Sequence, residues 1–307
     1  MKKRWLTLCI ALCGCLMLNG QSYTAMPWCT LSHDAHSMAM GGISSLFSPF
    51  GMAASNNPAK LLFSEDKKMG FHAAWQQYKP TDNHYLQASG SFTHGIMGYG
   101  LSYIGGFGPE LTFTDNGGNI INTLRNNNHI INASVGVRLL PIFSIGVNGK
   151  YLFETGPEGK RQLFAGDFFG MLDIQGFRAS VGLRNLSSSW AYGDIEYKLP
   201  LSIVGGLGYK KDWEKVGMEI GAEYESFLVN KENKLWNPRI GGGIAVNFYQ
   251  VLSLRAGYNW GGNTPIPSYT SLGVGINIKF LRIDASYRLN TDRLAGDMLN
   301  IQLGIMF

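Results

Sequence analysis

Six histidines, 21 acidic residues and 26 basic residues are the raw material for any chemistry in this 307-residue chain. The only dense group is His33-Asp34-Ala35-His36. As a metal site it lacks further ligands at a usable spacing. As a polar stretch near the start of the chain it needs no further account. Glu219 and Glu223 fall in one register, about 13 Å apart along a strand that rises ~3.3 Å per residue. A paired general acid and base stand closer than that. His72, His84, His94 and His129 have no nucleophile placed to pair with them. No G-x-S-x-G, P-loop or G-x-G-x-x-G occurs. The residues therefore point away from an enzyme, and no metal or cofactor is expected.

Composition narrows the class. Charged residues are 15% of the chain and apolar residues 45%, with 40 glycines and 12% aromatics. So little charge is unusual for a cytosolic protein, and the aromatic content argues against disorder. Lys2, Lys3 and Arg4 precede an apolar run from Leu6 to Leu18, and Asn19 to Ser22 turn polar. That is the pattern of a secretory signal peptide, assigned to residues 1–21. Leu12-Cys13-Gly14-Cys15 has the look of a lipoprotein cleavage site, but Leu16-Met17-Leu18 continue the apolar run and favour plain cleavage. Cleavage removes Cys9, Cys13 and Cys15 and leaves Cys29 alone, so no internal disulfide is expected. It also takes the formal charge from +5 to +2. No basic cluster remains, so no nucleic-acid partner is expected.

No apolar run reaches the ~18 residues of a spanning helix. From residue 68 the apolar period is two instead. Leu299, Ile301, Leu303, Ile305 and Phe307 alternate with Asn300, Gln302, Gly304 and Met306. Leu252 to Trp260, Leu272 to Phe280, Val216 to Tyr224 and Ile131 to Leu139 repeat the pattern. Alternation places one set on one face of a strand. Such segments predict about fourteen strands, the even count of a bacterial outer-membrane barrel. The expected spans are 68–79, 83–93, 95–107, 127–139, 142–154, 161–173, 175–186, 199–210, 215–229, 237–248, 251–262, 269–280, 281–291 and 296–307. Short connections alternate with longer polar ones at 108–126, 155–160, 187–198, 230–236 and 263–268, as expected for periplasmic turns and outer loops. Aromatics near strand ends, such as Trp75, Tyr103, Trp213 and Trp260, fit interfacial girdles.

The expectation is thus an all-β, transmembrane antiparallel barrel over 68–307. Residues 22–67 precede it as a short N-terminal segment at or in its mouth, a candidate plug. If the apolar register faces lipid, Lys150, Arg178, Arg184, Glu219, Glu223, Arg239, Arg255, Arg282, Asp284 and Arg288 line the lumen. The glycines of that register would leave room for their long side chains. Phe307 closes the last strand as a signal to the barrel-insertion machinery. Outer-membrane lipid and that machinery are the expected partners.

Residues 22–67 do not alternate. They contain Met40-Gly41-Gly42 and, about fifteen residues later, Asn57-Pro58-Ala59, where Asn56-Asn57-Pro58 suits a tight turn into a short helix. This opening resembles that of the PorV/PorQ family of outer-membrane barrels, and more loosely that of the long-chain fatty-acid transporter family. Tyr103 to Asn119, Ser144 to Tyr151, and Ala165 to Leu186 look like later segments of the same family. Ser48-Pro49-Phe50-Gly51 departs from it, standing where acidic residues are common. The resemblance implies a fourteen-stranded Bacteroidetes-type barrel that anchors or docks a surface or periplasmic protein of the type IX secretion apparatus. The modest outer loops look more like the PorQ branch. The competing expectations are a fatty-acid-transporter-like channel for hydrophobic small molecules, gated by residues 35–62, and a structural barrel without transport.

Overall fold

The computed structural model describes residues 24–63, 68–156, 159–192, 194–228, 238–261, 267–291 and 296–307. The signal peptide and Cys15, and most of the expected loops 230–236 and 263–268, lie outside them.

Fourteen antiparallel strands close into one barrel. In chain order they are β1 (Met69–Tyr78), β2 (Asn83–His94), β3 (Met97–Thr114), β4 (Ile120–Leu140), β5 (Phe143–Gly156), β6 (Gly159–Ile174) and β7 (Phe177–Ser187). A small hairpin, β8 (Trp190–Tyr192) and β9 (Ile195–Tyr197), follows outside the barrel. The wall resumes with β10 (Ser202–Asp212), β11 (Val216–Phe227), β12 (Arg239–Phe248), β13 (Leu252–Trp260), β14 (Tyr269–Ile278), β15 (Leu281–Asn290) and β16 (Met298–Met306). Each strand pairs with its neighbours in sequence, and β16 pairs back onto β1 from Gly70↔Met306 to Tyr78↔Met298. The terminal residue completes that seam. Phe307 N–H donates to Met69 O, and Phe307 O accepts from Lys68 N–H.

The alternation read from the sequence is the physical basis of this closure. Phe71, Leu101, Val181, Leu207, Leu272 and Leu303 face outward and are more than half exposed. In water such a belt would be untenable; in a bilayer it is the solvated surface. A closed barrel with an apolar exterior places the chain in a bacterial outer membrane.

Three expected loops are partly strand, and in 155–160 the ladder runs on to Gly156↔Gly159. Residues 108–126 form the outer ends of β3 and β4, paired to Thr114↔Ile120 across register shifts at Phe107/Glu110 and Phe113/Thr114. Their Thr-, Phe- and Ile-rich sequence keeps β propensity beyond the membrane, so the hairpin projects past the β1–β2 turn. Within 187–198 lies the β8–β9 hairpin.

Leu101→Arg would put a charge in the middle of the lipid face. It should cost about 2–4 kcal/mol of unfolding free energy in lipid vesicles, read by urea titration of tryptophan fluorescence.

Candidate functional site

The lumen is filled by the N-terminal segment, which does more than sit in the mouth. Thr24 bridges to Lys198 near the extracellular rim, and Pro58–Phe63 forms a 3-10 turn beside the periplasmic ends of β4 and β5. Between them lie two short helices, α1 (Ala35–Ala39) and α2 (Phe50–Asn56). Short helices joined by irregular chain leave many peptide groups without a partner of their own. The wall supplies them.

Ser44 and Ser45 N–H both donate to Glu223 Oε2, at 3.0 and 2.7 Å. Asn259 Nδ2 donates to Gly41 O at 2.8 Å. Ser271 Oγ donates to Ala39 O at 3.1 Å. Asn300 Nδ2 reaches His33 O at 2.8 Å, and Gln302 Oε1 accepts from Ala35 N–H at 3.0 Å. Near the periplasmic end, Ser144 Oγ donates to Ala59 O at 2.7 Å. Inside the segment, Asp34 caps α1 by accepting from Ser37 N–H at 2.7 Å and takes a second bond from Asn56 Nδ2 at 2.6 Å.

Gly275 leaves room for the side chains of Arg255 and Asp284, as expected, and other glycines of the inner face admit the segment itself. A Cβ on Gly243 would stand 2.6 Å from Met40 O, and one on Gly136 equally close to Pro58 O. Gly41 makes the reciprocal approach. It has φ +71, and a Cβ there would lie 2.5 Å from the carbonyl oxygens of Gly242 and Tyr258. Met40, Asn57, Pro58 and Ala59 are buried and Gly42 is half-buried at φ +87.

The ten charged residues named from sequence all lie on the inner side, buried or half-buried. Lys150 Nζ sits 2.7 Å from Asp167 Oδ2, and Arg178 Nε donates to Asp173 at 2.7 Å. Arg184 approaches Glu223 at 3.5 Å and Glu225 at 3.7 Å, and Arg239 holds Glu225. Arg255 and Arg282 share Asp284, at 2.7 and 2.5 Å. Glu219 faces His36 Nε2 at 3.0 Å. Arg288 lies over the Tyr269 ring, 4.7 Å from its centroid. Asp167, not among the lumen residues expected from the alternation, sits at a bulge between β6 and β7, where its carboxylate accepts from Asn185 N–H at 2.8 Å.

The stretch His33–His36 is buried, contrary to the expectation that it needed no account. Arg282 Nη2 is 2.7 Å from His36 Nδ1. A guanidinium can only donate, so Nδ1 accepts and the ring proton sits on Nε2, facing Glu219. His33 Nδ1 lies 3.1 Å from Gln76 Oε1, and Tyr85 packs on its ring.

Among the described residues no group of three or more His, Cys, Asp or Glu is placed to hold a metal. A polar cavity of about 70 Å³ lies between Thr30–Ser32, Ser44 and the outer ends of the strands. Nearer the extracellular rim, Ala25 and Met26 cover an apolar cluster of Ile104, Ile130, Leu152, Leu163 and Leu199.

The fold is that of known hydrocarbon channels. The monoaromatic hydrocarbon channel CymD is 12% identical with a TM-score of 0.67, over 91% of this chain and 98% of that one. The Ralstonia pickettii toluene transporter TbuX is 12% identical with a TM-score of 0.59, over 94% and 98%. A Pseudomonas aeruginosa FadL homologue is 11% identical with a TM-score of 0.54, over 93% and 99%. No family model and no curated protein matches the sequence. At these identities the likeness shows a shared fold, a FadL-like fourteen-strand barrel.

Glu223→Gln should loosen the segment by about 3 kcal/mol, because it weakens two backbone hydrogen bonds and removes the nearer of the two carboxylates that face Arg184. Hydrogen exchange at Ser44–Phe47 measures it.

Proposed function

We propose that this barrel is a gated passage for small, mainly apolar molecules across the outer membrane, with residues 24–63 as the gate. One observation carries the reading: a segment occupies the lumen from end to end, yet is held by contacts that can be exchanged. Among the described residues its apolar contacts fall into four separate clusters instead of one continuous core. The rest are hydrogen bonds and ion pairs, which water can replace once the lumen opens. The fold shared with TbuX and CymD, which transport toluene and conduct monoaromatic hydrocarbons, supports the same reading.

The wall offers a collecting surface. Ala73, Ala88 and Gly90 are small outward-facing residues on β1 and β2, and they floor an apolar groove of about 1020 Å³ rimmed by Phe71, Phe92, Leu101 and Leu303. Apolar solutes concentrate in such a dent from the bilayer. In this conformation the passage beyond is shut. The ladders of β1, β2 and β3 run unbroken behind the groove.

A second reading is a docking or anchoring role in type IX secretion, in the manner of the PorV/PorQ family. Two observations favour it. The N-terminal segment fills the lumen and leaves no continuous passage among the described residues, and the projecting β3–β4 hairpin exposes Leu111, Phe113, Ile120 and Ile121 beyond the membrane. Exposed apolar patches of this kind mark interaction sites.

Vesicles carrying the protein should take up toluene or a fatty acid faster than empty vesicles, and Glu223→Gln should raise uptake further, by several-fold. Uptake equal to the empty control in both would sink the passage reading. Cross-linking in native membranes addresses docking. Capture of a secretion component, lost on Phe113→Asp with Ile121→Asp, would favour the second reading.

A further inference from the structure

The polar cavity near the outer end of the lumen carries an imbalance of charge. Four cations line it: Lys150, Arg184, Arg239 and Arg288. Three have carboxylate partners. Lys150 has Asp167, Arg184 has Glu223, and Arg239 has Glu225. Arg288 has no carboxylate partner among the described residues. The side chain is only 5% exposed, and its Nε finds no hydrogen-bond partner. Asp297, the acidic group on the next strand's approach, is committed to Tyr287 Oη at 2.7 Å and Asn290 N–H at 3.3 Å. Ser32 Oγ, in the lining of the same cavity, is a second buried polar atom without a hydrogen-bond partner.

A buried guanidinium with an unmade hydrogen bond and no counter-charge is costly. The Tyr269 ring offsets part of this through its π face. The remaining donors ask for an acceptor bearing negative charge. Size then selects among anions. A water needs roughly 10–15 Å³ of such space. A cavity of about 70 Å³ therefore takes an ion of a few heavy atoms, and an alkyl chain does not fit.

We propose that this cavity binds a small oxyanion, phosphate or a short carboxylate, between the Arg288 guanidinium and the Ser32 hydroxyl. The site does not depend on the passage reading. Its ligand is charged and compact, and bound there it ties β15 to the segment at Ser32. A second cavity, of about 170 Å³, is also lined by Arg288, together with Trp28, Leu31, Tyr85 and Met298. Trp28 thereby reports on occupancy.

The test titrates inorganic phosphate, and separately acetate, into the detergent-purified full-length barrel at constant chloride, with calorimetry and tryptophan fluorescence as readouts. Wild type should bind one of the two saturably and gain thermal stability with it. Arg288→Gln should weaken binding by about tenfold or more, and Arg288→Lys by less, because a charge-assisted contact survives. Ser32→Asp supplies a carboxylate from the chain itself. It should abolish binding while raising the melting temperature in anion-free buffer. It also keeps the proposal testable if the Arg288 variants fail to fold. No saturable binding by wild type at millimolar concentrations, or equal binding by Arg288→Gln or Ser32→Asp, would overturn it.

Discussion

A peptide group inside a lumen sealed from bulk water must find its hydrogen-bond partner in protein, and this one requirement organises the molecule. The barrel wall satisfies its own backbone through its ladders. The N-terminal segment cannot, because its helices run only Ala35–Ala39 and Phe50–Asn56. The inner face of the wall therefore works as a second backbone partner. Glu223, Asn259, Ser271, Asn300, Gln302 and Ser144 each hold a peptide group of the segment. Glycines let the two chains come close enough for this to happen.

Charge follows the same logic. A lumen lined by Arg, Lys, Glu and Asp would be expensive if dry and unpaired. Here the pairs are shared with the segment. Arg184 donates to Ser44 Oγ, Arg239 to Thr30 O, Arg178 to Leu46 O, and Arg282 meets His36. Opening the lumen would therefore exchange protein partners for water, and the net difference between such exchanges is small for each bond. That makes a filled lumen compatible with a gate, and equally with a permanent filling whose purpose is to present the outer hairpins.

The wall was legible in the sequence because its signal is local. A two-residue period needs only neighbours to be read, and it located all fourteen strands. The boundaries failed where a strand outlived the bilayer, at 108–126, since Thr112, Phe113, Ile120 and Ile121 are as fit for a free hairpin as for a membrane strand. The contacts of the segment were not legible. Ala35 meets Gln302, 267 positions away, and nothing at either position announces the other. Met40-Gly41-Gly42 and Asn57-Pro58-Ala59 stood out as unusual, but their reason lies in Gly243, Gly257 and Gly146, which in one dimension read as ordinary strand glycines. His33 and His36 passed as a polar stretch because their burial comes wholly from the wall folding around them.

The segment enters at one rim, near Lys198, and leaves at the other, where β1 begins. A chain lying along the axis of a closed cylinder is enclosed on every side. Assembly is simplest if the cylinder is completed around it. The β1–β16 seam joins the two ends of the wall, so it is the natural last edge to form. Residues 24–63 would then act as a mandrel on which the wall is wound, and a barrel that closed early would shut its own plug outside.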